Sequence, residues 1–229
     1  MFVPLHDNTP LKVIRFQFVT LAIIVANVII FMITGAFQSD VYLANVATSF
    51  GVTPTELTHA SQNISYSPIP EPLTFLTYMF LHAGWMHLIS NMLFLWVFAD
   101  NVEDAFGYFA FGLFYLLCGI AGALAHVLMT PDSSAPLIGA SGAVSGVIGA
   151  YVLLYPRARV WILLFFRIPL RISAIWVLGG WFLLQVFNVA MAERNGDMEI
   201  AFWAHIGGFI AGIAITLVLR SRLLIRPQS

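Results

Sequence analysis

The sequence predicts an all-α fold: a polytopic membrane protein built as a six-transmembrane-helix bundle. Three observations lead there. Of 229 residues, 60% are hydrophobic and 9% charged, whereas a soluble domain carries about 25% charged residues; most of the exterior must therefore face lipid. Six apolar runs come near the roughly 20 residues that a spanning helix needs. When those runs are threaded alternately through a bilayer, nine of the ten basic residues fall on one side, as the positive-inside pattern requires.

The elements follow in order. The run at 13–36 is longer than the apolar core of a signal peptide, about 7–15 residues, and is read as the first span. Residues 37–85 form a long outer connection interrupted by Pro54, Pro68, Pro70 and Pro72, where a partly embedded irregular segment is expected. The further spans are 86–103, 107–129, 139–155, 170–190 and 201–220. Segment 156–169 is apolar from Trp161 to Phe166 but bracketed by arginines, so it is read as interfacial rather than as a seventh span. The organisation is a short tail (1–12), one membrane domain (13–220) and a second short tail (221–229). With both termini cytoplasmic, Lys12, Arg15, Arg157, Arg159, Arg167, Arg171, Arg220, Arg222 and Arg226 lie inside and Arg194 outside. The expected setting is a bacterial plasma (inner) membrane. The net charge of -1 gives no reason to expect a nucleic-acid partner; the lipid bilayer is the expected one. A single cysteine, Cys118, excludes an internal disulfide framework.

Polar residues inside spans are costly, and each is a functional candidate. Ser141 sits in Gly139-Ala140-Ser141-Gly142, His205 in Ala204-His205-Ile206-Gly207-Gly208, and His87 and Asn91 share a helix face four residues apart. Spans two, four and six run in the same direction, and each candidate lies in the first turn or two of its span. The segment 139–155 is about 25 Å long as a helix, shorter than the hydrocarbon core of about 30 Å. Its start should therefore lie below the surface, with the 131–138 loop dipping to meet it beside a wet cavity. Gly142, Gly146 and Ala150, and likewise Ala204, Gly208 and Gly212, recur every four residues, as ridges that let helices approach closely. Gly139, Gly142, Gly146, Gly208 and Gly212 are thus expected to support packing around Ser141 and His205.

A serine hydroxyl needs a base, and neutral histidine suits that role. No carboxylate lies near His205 in sequence, so a Ser–His dyad is expected. His87 and Asn91 can both donate hydrogen bonds to an oxyanion. Backbone N–H groups at the start of the fourth span would add to it. No cofactor or metal is expected: His-Glu-x-x-His is absent, His82 and His87 being five apart and flanking a helix start, and His6, His59 and His126 offer no ligand spacing. A Gly-x-Ser-x-Gly elbow fails at Ala143. A transporter or channel that uses the polar cluster as a binding site stays open as the alternative.

At these residues the chain resembles the rhomboid family of intramembrane serine proteases. Gly-Ala-Ser-Gly at 139–142, His87-Leu-Ile-Ser-Asn91, and Ala204-His205-Ile206-Gly207-Gly208 with Ala211-Gly212 follow the family's order, over about residues 71–220. The resemblance implies a six-helix bundle of rhomboid type. It implies Ser141 as nucleophile, His205 as base, and His87 with Asn91 stabilising the oxyanion. It also implies single-span membrane proteins as substrates, cleaved near the outer face. Two positions depart from the pattern: Leu73-Thr74 stands where the family often has Trp-Arg, and Ser145 where many members carry an aromatic residue four positions after the serine.

Overall fold

The computed structural model describes residues 2–58, 67–195 and 202–224, the side chains of 192–195 excepted. His59, Arg226 and the side chain of Arg194 lie outside the described residues.

The chain opens with strand β1 (Phe2–Asp7) and helix α1 (Phe18–Thr34). The outer connection then holds α2 (Asp40–Phe50), α3 (Pro54–Thr58) and α4 (Glu71–Thr77). Ser39 caps α2 by accepting from the Tyr42 N–H, as serine at that position commonly does. The remaining helices are α5 (Trp85–Phe106), α6 (Tyr108–Met129), α7 (Ser141–Leu154), α8 (Ala174–Asn195) and α9 (Phe202–Leu219). Each of the six apolar runs therefore carries a helix. By length and composition α6, α8 and α9 can cross a membrane. The stretch 71–80 and α5 pass the same test as a pair bent by 83°. The helices α1 and α7 are shorter, at 17 and 14 residues.

The all-α expectation needs one correction. Segment 156–169 contains β2 (Arg159–Leu164) and the start of β3 (Ile168–Ser173), and with β1 these form an antiparallel sheet in the order β1-β2-β3. Along β2, exposed Arg159 and Trp161 alternate with buried Val160 and Ile162, the two-residue period of a half-buried strand. The pairing of Phe2 with Leu164 joins segments far apart in sequence, which no local pattern announces. The fold remains predominantly helical.

Helix α7 is the axis of the molecule. Ten consecutive residues, Gly142 to Tyr151, are buried, and α5, α6 and α9 pack around it. Glycine makes this possible. A Cβ on Gly208 would collide with the Gly142 carbonyl, and one on Gly212 with the Gly146 carbonyl, so two backbones touch where side chains would hold them apart. Cys118 of α6 fills the space beside Gly146.

At the opposite end, α5 secures the N-terminal segment with two buried carboxylates. Glu103 accepts from the Val19 and Thr20 N–H groups at 3.0 and 2.8 Å and from the Thr20 hydroxyl at 2.6 Å. Asp104 accepts from the N–H groups of Lys12, Val13 and Ile14 at 2.7–2.8 Å. Glu103 thereby satisfies donors at the start of α1 that have no partner within the helix, where negative charge is also favourable.

Candidate active site

The position of Ser141 is set by the loop before it. Leu137 exchanges backbone hydrogen bonds with Val52 (3.0 and 2.8 Å), and the Gly139 N–H donates to the Tyr78 carbonyl at 2.9 Å. The backbone of Leu137 and Gly139 is thus paired with protein. Gly139 adopts φ +123°, a conformation open to glycine alone, and a Cβ there would lie 2.6 Å from His87 Nε2. Gly139 is therefore a turn residue that clears space for His87, rather than the helix-packing support expected from the sequence. Gly142, Gly146, Gly208 and Gly212 do lie on the α7–α9 seam.

The chain resumes as α7 at Ser141, its first residue. His205 is the fourth residue of α9, and His87 and Asn91 are the third and seventh of α5. These three helix starts bring the four side chains to one cavity of about 220 Å³, walled by Phe94, Val144, Ile148 and Trp181. His205 Nε2 lies 2.8 Å from Ser141 Oγ, within hydrogen-bond range. Asn91 donates from Nδ2 to the His87 carbonyl at 3.0 Å, which steadies its amide at the cavity wall. The ring of His82 meets that of His87 edge-on at 5.0 Å.

Sequence reasoning missed one polar partner. His205 Nδ1 faces Oε1 of Gln185 at 2.9 Å, and Gln185, on α8, also lines the cavity. A signal was present: Gln185 is a polar residue inside an apolar run, between Leu184 and Val186. The departures from the family pattern are also accounted for. Ser145 turns its hydroxyl to the Ser141 carbonyl at 2.6 Å, and aromatic rings near His205 come from Trp181 of α8 and Phe202 of α9, with centroids 6.0 and 6.5 Å away. Leu73 and Thr74 lie on α4, where the buried Thr74 donates to the Glu71 carbonyl at 2.6 Å.

The chemistry follows from these contacts. A hydroxyl at the start of a helix, with an imidazole nitrogen in reach, has the geometry that a nucleophile and its base require. The first N–H groups of α7 have no intrahelical acceptor and are available to a developing negative charge. Among the described residues no group of three or more His, Cys, Asp or Glu is placed to hold a metal ion.

Comparison with known proteins gives the family. Residues 70–222 match the model of the rhomboid domain. RHOMBOID-like protein 2 of Arabidopsis thaliana is 32% identical over 161 residues, covering 67% of this chain and 43% of that protein. The Rhomboid protease GluP of Bacillus subtilis is 37% identical over 145 residues, covering 62% of this chain and 26% of that protein. Rhomboid protein 1, mitochondrial, of Saccharomyces cerevisiae is 36% identical over 141 residues, with 58% and 38% covered. The chain spans less than half the length of each of these three. Relatives named mitochondrial and chloroplastic stand beside a bacterial one, so the family places the chain in a membrane without choosing which. The match to the rhomboid domain covers well over half of the sequence, and this chain belongs to the rhomboid family.

Proposed function

We propose that the chain is an intramembrane serine endopeptidase that cleaves single-span membrane proteins near the outer face of the bilayer. The observation that carries this reading is the 2.8 Å approach of His205 Nε2 to Ser141 Oγ at the edge of a cavity. Family membership and a relative named a rhomboid protease support it.

In the proposed reaction the Ser141 hydroxyl attacks the scissile carbonyl and passes its proton to His205 Nε2. His87, Asn91 and the Ser141 N–H surround the place where the carbonyl oxygen becomes an oxyanion. His205 returns the proton to the leaving amine, an acyl-enzyme forms on Ser141, and water then releases the acyl group by the same steps in reverse. Preorganised donors of this kind contribute about 10²–10³-fold each. We place the six helical runs as six spans with both termini cytoplasmic, on the distribution of basic residues. The site then opens toward the outer face.

The test is covalent labelling of the full chain in detergent with a fluorophosphonate probe, beside cleavage of a single-span reporter. Wild type should label and cleave. Ser141→Ala and His205→Ala should do neither while unfolding at the wild-type temperature. Equal labelling of Ser141→Ala, or no labelling alongside solute flux through reconstituted vesicles, would overturn the protease reading; the second result would favour transport.

A further inference from the structure

We propose that Gln185 is a positioning residue that holds His205 in the one tautomer able to take the Ser141 proton, which makes α8 part of the catalytic unit; this rests on the reading of His205 as the base.

Neutral imidazole carries one N–H and one bare nitrogen. The group facing His205 Nδ1 is the Gln185 carbonyl oxygen, at 2.9 Å, and a carbonyl oxygen only accepts. The hydrogen therefore sits on Nδ1, and Nε2 presents its lone pair to the Ser141 hydroxyl at 2.8 Å. With the amide in this orientation, the other tautomer would set the Nδ1 lone pair against the Gln185 oxygen and aim an N–H at Ser141, a ring unable to accept the proton; it would require the amide to turn over and donate from Nε2. When Nε2 takes that proton, Nδ1–H remains bonded to the amide dipole, which supports the cation through a neutral group.

The placement of Gln185 agrees with this role. Its side chain is buried, whereas Leu184, Val186 and Phe187 beside it are exposed. An inward-facing amide on an otherwise apolar stretch is costly unless paired, and its partner is the imidazole. Trp181, one helical turn earlier on the same face, sets its ring 6.0 Å from that imidazole at 37°. Two of the contacts to His205 thus come from α8, beside those from Ser141 of α7 and the Phe202 ring of α9, so the seating of α8 helps to orient the ring.

Nitrogen NMR of the full chain in detergent, labelled with 15N-histidine, reads the tautomer directly once the His205 signals are assigned by their loss in His205→Ala. The expected result is a protonated Nδ1 and a bare Nε2 in wild type, and a mixture of tautomers in Gln185→Leu. On the reporter, Gln185→Leu should lower kcat about 10²-fold with KM changed less than about threefold, the size of a general-base contribution. Gln185→Glu restores an acceptor and should recover kcat to within about tenfold of wild type. A hydrogen on Nε2 in wild type overturns the proposal even if the Leu variant fails to fold. So does an unchanged tautomer, or an unchanged kcat, in a folded Gln185→Leu. If His205 shows the expected tautomer and Ser141 never labels, the positioning geometry stands and the protease reading alone falls.

Discussion

Gly208→Ala isolates how closely the candidate site depends on the α7–α9 crossing. The added Cβ would meet the Gly142 carbonyl oxygen inside van der Waals contact, with the carbonyl carbon at 2.8 Å. Ordinary contact begins at 3.4 Å, so the backbones must separate by at least about 0.6 Å (from 2.8 to 3.4 Å), and the oxygen demands more. The neighbouring atoms are backbone on both sides, so no side chain can rotate out of the way. Gly142 adjoins Ser141 and Gly208 lies three residues beyond His205. A separation directed along their hydrogen bond would take it from 2.8 Å toward about 3.4 Å, beyond the usual range. Overpacking of this kind costs about 1–3 kcal/mol of stability. A misplacement approaching 1 Å costs about 10²-fold in rate, so a loss of about 10–100-fold is expected. The assay is reporter cleavage beside thermal unfolding, with Gly180→Ala as control: a Cβ there meets nothing within 4 Å. The control should cleave normally and gain up to about 1 kcal/mol from helix propensity. Wild-type cleavage and stability in Gly208→Ala would refute the close-packing account.

Three further outcomes are expected. Asn91→Ala should lower kcat about 10²–10³-fold if its amide meets the oxyanion; a wild-type rate removes it from that role. Glu103→Leu leaves the Val19 and Thr20 donors without their acceptor. At roughly 1–3 kcal/mol for each buried group it should destabilise by at least about 3 kcal/mol in a detergent unfolding titration. Asp7 of β1 has its pKa raised, first by burial, with its Tyr151 hydrogen bond acting in the opposite direction. A folded-state pKa above the unfolded value gives stability that is fully present below about pH 4, the unfolded value, and is lost as pH rises through the folded one. Limited proteolysis of the N-terminal strand should therefore speed up over that window in wild type and respond less in Asp7→Asn; the same slope in both would exclude Asp7 as its source.

The candidate residues were legible because burying a polar group in a membrane is expensive, and expense shows in composition. Ser141, His205, His87 and Asn91 each interrupt or open an apolar run, and the structure brings all four to one cavity. Gln185 met the same criterion and was passed over, because it lies mid-helix, away from the three helix starts where the others gather. Gly139 was misassigned for a different reason. It was grouped with the packing glycines for its place beside Ser141, whereas its positive φ and its nearness to His87 arise only when the loop and α5 are both in place.

The sequence by itself determined the six apolar runs that carry helices and which residues are chemically out of place in lipid, because apolar length and polarity belong to a segment alone; the short helices α2, α3 and α4 of the outer connection were not legible in it. Tertiary structure decided the rest. It chose which face of α8 turns inward, set β1 beside β2 from the far end of the chain, and closed Ser141 onto His205 to 2.8 Å. Those outcomes depend on the rotation and register of segments relative to one another. They are fixed by contacts such as glycine against carbonyl, which exist only once distant pieces have met.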